Sequence, residues 1–98
     1  MIIPNKIKFL GHEYRISQVT ANEIEGCNGQ TWLKLLEIRI DKDLPQSRKE
    51  SVLLHEIIEI VNAHLELDLE HRKIEVLEEI LYSIFKDNGF SFGQVEDE

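Results

Sequence analysis

The sequence predicts an α+β domain: a small antiparallel sheet of about four strands in two hairpins, followed by two packed antiparallel helices. Three observations carry this. Up to Asp41 the apolar residues alternate with polar ones; beyond Pro45 they recur every three or four positions. The two patterns do not interleave, so strands and helices are separated along the chain instead of forming parallel βαβ units. With 98 residues, the chain is expected to be a single domain, 1–98, with one modest core.

The elements follow in order. Residues 6–19 alternate around a turn at Leu10-Gly11-His12, with Ile7 and Phe9 pointing one way before it and Tyr14, Ile16 and Val19 after it. That predicts a hairpin. Thr20 to Asn28 is polar and irregular, with Gly26 and Gly29 as breakers. Thr31-Trp32-Leu33 and Glu37-Ile38-Arg39-Ile40 read as two more strands, joined through Lys34-Leu35-Leu36 into a second hairpin. Asp41 to Pro45 ends the sheet. Ser47 is a candidate N-cap with Glu50 three residues on, the pattern of a capping box. A first helix is predicted from about Arg48 to about Leu65. A second begins near Asp68 and stops at Asn88-Gly89, where glycine supplies the left-handed residue. The acidic end, residues 93–98, is expected to fray.

Composition excludes several classes of function. Hydrophobic residues make up 42% and charged residues 31%, the balance of a soluble globular chain. A net charge of -8 repels nucleic acid and anionic membranes alike, and the eleven Lys and Arg are scattered, not clustered. Neither nucleic acid nor a membrane is therefore an expected partner. Cys27 is the single cysteine, so no internal disulfide forms and no Cys-rich metal spacing exists. The start MIIPNKIKFL lacks the apolar run of a signal peptide, and no stretch is long enough to span a bilayer. The expected compartment is a reducing cytoplasm.

The chemistry concentrates on the helices. The first contains LLHEIIEIVN, in which His55, Glu56 and Glu59 form H-E-x-x-E. At about 100° per residue, His55, Glu59 and Asn62 share one stripe, surrounded by Leu53, Leu54, Ile57, Ile58, Ile60 and Val61. A helix so apolar is expected to be largely buried. On the second helix the main apolar face reads Ile74, Leu77, Leu81, Ile84 and Phe85, with His71, Glu78 and Tyr82 at its edge or inside it. Two antiparallel helices bring His55 and Glu59 opposite His71 and Glu78. Polar groups converging in an apolar helix pair point either to a bound cation or to a closed hydrogen-bond network. Four His and fourteen Glu produce H-E-x-x-E by chance often enough that the motif alone does not decide between them.

The pattern LLHEIIE-x-x-N, then LELDLEH-x-x-I-x-x-LE-x-x-LY-x-x-x-x-DN, resembles small phage and prophage proteins of a minimal zincin type, stripped-down relatives of the ImmA/IrrE-like metallopeptidases. The resemblance runs from about Gly11 to Asn88 and includes the strand pattern Gly29 to Asp41. In those proteins the active helix reads H-E-x-x-H, and a glutamate on the next helix completes the ligand set. Counting back from Asp87-Asn88, that glutamate position falls on His71, with Glu75 and Glu78 as competitors. The resemblance thus implies an exchange, His/Glu/His for His/His/Glu, which keeps two imidazoles and one carboxylate for a single Zn²⁺ with an open fourth position.

It also implies roles: His55, Glu59 and His71 as ligands, Glu56 as general base, and Glu78 as a carboxylate orienting a ligand imidazole. Asn62 would bond within the site and Tyr82 would offer its hydroxyl to an oxyanion. The blander alternatives are a His–carboxylate pair, a solvated Glu56, an ion-paired Glu78, a surface Asn62 and a core Tyr82. His12 and His64 are expected on the surface, and Trp32 in packing. The implied activity is zinc-dependent peptide hydrolysis. The alternative is a non-catalytic interaction module that docks a phage or host protein through its acidic surface or its sheet edge.

Overall fold

The computed structural model describes residues 2–92. The acidic end at 93–98 lies outside the described residues. Strands β1 (Lys6–Phe9) and β2 (His12–Val19) form the expected hairpin, with Phe9 paired to His12 across a two-residue turn. Leu10 (φ 53°) and Gly11 (φ 79°) are both left-handed, as a turn matching the strand twist requires. The inward residues Tyr14 and Ile16 are buried, and Phe9 stacks on Tyr14 with ring centroids 5.0 Å apart.

The segment expected to be irregular holds a short 3₁₀ turn, Ala21–Ile24, which buries Ile24 and ends at Glu25 and Gly26 with positive φ. Gly29 is not a breaker. It opens β3 (Gly29–Trp32), which a second 3₁₀ turn at Leu33–Leu35 links to β4 (Glu37–Asp41).

The sheet order is β1-β2-β4-β3, and β2 pairs with β4 in parallel. The sheet is therefore mixed, where a purely antiparallel one was expected. After the turn at 21–26 the chain runs out along the far edge as β3. It then folds back as β4 into the gap beside β2, in the direction of β2. Strands β2 and β4 are thus the two interior strands, and Ile38 and Ile40 of β4 are fully buried.

Helix α1 (Gln46–His64) starts two residues before the expected point. Pro45 precedes it with φ −56°, and its carbonyl accepts hydrogen bonds from the amides of Arg48 and Lys49. The capping box does not form. No side chain caps this end, because Ser47 is already inside the helix and Glu50 is turned into the core toward Tyr82. Helix α2 (His71–Asp87) starts three residues later than expected. Glu66 (φ 52°) and Asp68 (φ 55°) adopt left-handed backbone, which no continuing helix allows. At its other end Gly89 (φ 71°) is the left-handed stop, with bonds from Phe90 N to Phe85 O and from Gly89 N to Lys86 O.

Helix α1 lies on the inner face of the sheet, over β3 and β4, and α2 packs on α1. The core joins Tyr14, Ile16, Ile38 and Ile40 of the sheet to Val52, Leu53 and Ile60 of α1. The face that α2 turns inward is the predicted one only in part. Ile74 is buried and Leu81 and Phe85 are half-buried, but Leu77 and Ile84 are exposed. Glu78 accepts a hydrogen bond from His55 of α1 and Tyr82 donates one to Glu50, so these polar residues face inward and the apolar maximum swings toward solvent.

Candidate metal centre

His55 and Glu59 stand one turn apart on α1, and His71 is the first residue of α2. The connection between the helices sets where His71 begins. Asn62 holds it from α1: its backbone carbonyl accepts from Leu67 N at 3.0 Å, and its side-chain Oδ1 accepts from Leu69 N at 2.9 Å.

One donor atom each from His55, Glu59 and His71 lies within 4.8 Å of the other two. Glu59 Oε2 is the shared point, 3.3 Å from His55 Nε2 and 3.7 Å from His71 Nδ1. The two imidazoles meet edge to face with centroids 5.3 Å apart. Their remote nitrogens each face a carboxylate of α2. His55 Nδ1 lies 2.9 Å from Glu78 Oε1, and His71 Nε2 lies 3.4 Å from Glu75 Oε2. An ionised carboxylate can only accept, so the bond to Glu78 puts a proton on His55 Nδ1. In the neutral ring that leaves the Nε2 lone pair aimed at the shared point. Glu75 and Glu78 therefore stand behind the imidazoles.

The donor set is two nitrogens and one oxygen, and the largely exposed His71 leaves it open to solvent. Three such donors with an open approach suit a borderline divalent ion such as Zn²⁺. The surroundings favour a cation: Glu56, Glu75 and Glu78 line the cleft beside the cluster, against Arg48 alone among its cationic lining residues.

Glu56 is buried, 8% exposed, which excludes a solvated surface role. Burial pushes its carboxyl pKa up, against the opposing hydrogen bond that Thr31 Oγ1 donates to Oε1 at 2.7 Å. Its other oxygen has no hydrogen-bond partner among the described residues and is not sealed from solvent. Glu56 lines a cleft of about 250 Å³ walled by Asn28 and Gly29 of the sheet edge and by Arg48, Val52 and His55 of α1. Gly29 permits that wall. A Cβ there would stand 2.7 Å from Val52 Cγ1 and 3.4 Å from Glu56 Cγ.

Two residues expected around the metal are engaged elsewhere. Asn62 is occupied by the interhelical connection. Tyr82, half-buried, donates its hydroxyl to the buried Glu50 at Oε1 over 2.6 Å and not to the His55 cluster. Burial and that hydrogen bond raise the Tyr82 pKa to about 12. His12 and His64 are both exposed, with ring centroids 5.9 Å apart. Trp32 is 42% exposed and carries the Arg39 guanidinium 4.7 Å above its ring.

Sequence reasoning missed Thr31 and Gly29 as parts of the site, and it weighed Glu75 only as a competitor for the third ligand, whereas the structure sets it behind the His71 ring. The alternation of Gly29–Trp32 was the available signal: Gly29 and Thr31 share the inward face of β3, toward Val52 and Glu56. No family model, curated protein or solved structure matches the chain.

Proposed function

We propose that the chain is a zinc-dependent, metallopeptidase-like hydrolase of the minimal zincin type, in which His55, Glu59 and His71 hold the ion and Glu56 is the general base. The observation that carries this reading is the convergence of the three donor atoms within 4.8 Å, beside a buried glutamate whose pKa is raised. When bound, Zn²⁺ would act as a Lewis acid toward water and a substrate carbonyl.

The chain's own residues do the rest. Desolvated and anchored at one oxygen by Thr31, Glu56 is a stronger base than an exposed glutamate, and it takes a proton from the attacking water. The water oxygen bonds to the peptide carbonyl carbon, the C–N bond breaks, and the proton held on Glu56 passes to the leaving nitrogen. Glu78 and Glu75 fix the rings of His55 and His71. Strand β3 is an edge of the sheet beside the cleft, so its outer side accepts an extended peptide by strand addition. The setting is a phage-related protein in a reducing cytoplasm, where the free, exposed Cys27 stays a thiol.

A second reading, an interaction module in which the ion is structural, is favoured by the small size of the cleft, about 250 Å³. Glu56→Gln separates the two. Elemental analysis is expected to find one zinc per chain in parent and variant, with cleavage of a peptide library lost only in the variant. Zinc without cleavage in the parent supports the interaction module. No zinc in either, or the same loading in His71→Ala, overturns the metal centre.

A further inference from the structure

Helix α2 turns its polar residues inward and leaves an apolar stripe in water. Val76 (39%), Leu77 (39%), Ile80 (51%) and Ile84 (44%) are all exposed, on the side of the helix opposite His71 and Glu78. At 100° per residue they fall within about 60° of a line through Ile80, whereas His71 lies about 180° away. The stripe continues at one end into a groove with an apolar floor, lined by Leu69, Val76 and Leu77 together with Arg72 and Lys73. Nothing in the described fold covers it.

The charges at its two ends identify what does. Lys73 lies seven residues before Ile80 and Asp87 seven residues after, both within about 20° of the same line. Each stands at the wrong end of the helix. Lys73 is in the first turn, where the dipole disfavours a cation, and Asp87 is the last residue, where it disfavours an anion. Among the described residues the Lys73 ammonium has only a 3.8 Å contact, to the exposed Glu70. The Asp87 side chain makes no hydrogen bond or ion pair among the described residues. A local rule broken twice, symmetrically about one residue, is explained by a partner that repairs both breaks.

We propose that α2 is the interface of an antiparallel, two-fold symmetric dimer of this chain, centred on Ile80. In that register Ile80 meets its own copy and Val76 meets Ile84 of the partner subunit. Lys73 meets Asp87 of the partner subunit, and the symmetric contact repeats both pairs. The two helix dipoles run antiparallel. A parallel pairing would place like charges opposite each other, and a one-turn slip would leave both ion pairs unmade. The stripe spans about 12 Å of helix at 1.5 Å per residue, so the dimer is a weak one that the net charge of -8 further opposes. The metal centre faces away from this interface, so neither proposal depends on the other.

Sedimentation of the full chain over a wide concentration range tests it. The parent is expected to form a reversible dimer. Ile80→Glu is expected to be monomeric with an unchanged circular dichroism spectrum, because position 80 is in solvent in the monomer. Lys73→Asp is expected to weaken dimerisation about tenfold or more through like-charge contacts at both ends. The double variant Lys73→Asp/Asp87→Lys is expected to restore it. A parent that stays monomeric throughout overturns the proposal and leaves the stripe to a different protein. A dimer indifferent to Ile80→Glu overturns the surface. A Lys73→Asp defect that Asp87→Lys does not rescue overturns the antiparallel register.

Discussion

Helices α1 and α2 are nearly equal in length, 19 and 17 residues, and their apolar content looks similar in the sequence. They are nevertheless used in opposite ways. Helix α1 lies between the sheet and α2, and it buries seven residues, including the carboxylates Glu50 and Glu56. Helix α2 has cover on one side only and buries Ile74 alone among the described residues. The sandwiched helix carries the core, and the outer one carries side chains that meet α1 at particular atoms. The difference shows that apolar content does not rank a helix's contribution to stability; the number of covered faces does.

The largest expected effect tests that contrast. Leu53 is fully buried between α1 and the sheet, so Leu53→Ala removes buried surface and leaves a cavity, at a cost of about 3 kcal/mol. Leu77→Ala truncates a residue of the same type on the exposed side of α2 and should cost less than about 1 kcal/mol. Urea unfolding at low protein concentration measures both. Equal losses would break the comparison.

The next effect lies at the joint between the helices. Glu50, 2% exposed, accepts the Tyr82 hydroxyl across α1 and α2. Tyr82→Phe leaves a buried carboxylate short of a donor and should cost about 2 kcal/mol near neutral pH. Its pH dependence sharpens the assignment. Burial and the bond to Glu50 raise the Tyr82 pKa from 10.0 to about 12. The folded state therefore holds the phenolic proton more tightly than the unfolded one. That stabilisation is complete below pH 10 and disappears as the pH climbs to about 12. Glu50 works in the other direction. Burial raises its pKa, but hydrogen bonds led by the one from Tyr82 outweigh it and hold the carboxylate below 4.5. Its contribution is present above pH 4.5 and lost as the pH falls through the lowered value. Unfolding free energies against pH should show the alkaline loss in the parent and not in Tyr82→Phe; an unchanged alkaline limb would place the tyrosine's partner elsewhere.

These residues also mark how far the sequence can be read. The α+β class, the hairpin at Leu10-Gly11 and the stop at Gly89 follow from local chemistry: alternation, a two-residue turn, a left-handed glycine. The stripe His55–Glu59 and its approach to His71 and Glu78 follow from helical spacing, which is rigid enough to carry across two elements. The parallel β2–β4 pairing does not follow, because alternation fixes which side a residue faces and not which strand lies beside it. The rotation of α2 is hidden for another reason. Its apolar residues point to one inward face and its hydrogen-bonding residues to another, and the bonds to His55 and Glu50 prevail. Glu50 illustrates the conflict: the spacing from Ser47 fits a capping box, while the fold uses the carboxylate as the buried partner of Tyr82.

The smallest of the three effects concerns the proposed zinc centre and divides the two carboxylates of α2. Glu78 is 2.9 Å from His55 Nδ1 with its side chain 17% exposed, whereas Glu75 is 3.4 Å from His71 Nε2 with its side chain 51% exposed. A half-exposed contact is screened and shares its donor with water, so it orients a ring less than a buried one does. Glu78→Gln keeps a hydrogen-bond acceptor for His55 and removes only the charge, which should weaken zinc binding about tenfold in a chelator competition. Glu75→Gln should weaken it less. Glu79→Gln, one residue from Glu78 on the exposed side of the helix, controls for net charge. If all three variants lose the same affinity, the carboxylates act only through bulk charge, and the inward face of α2 does not orient the ligands.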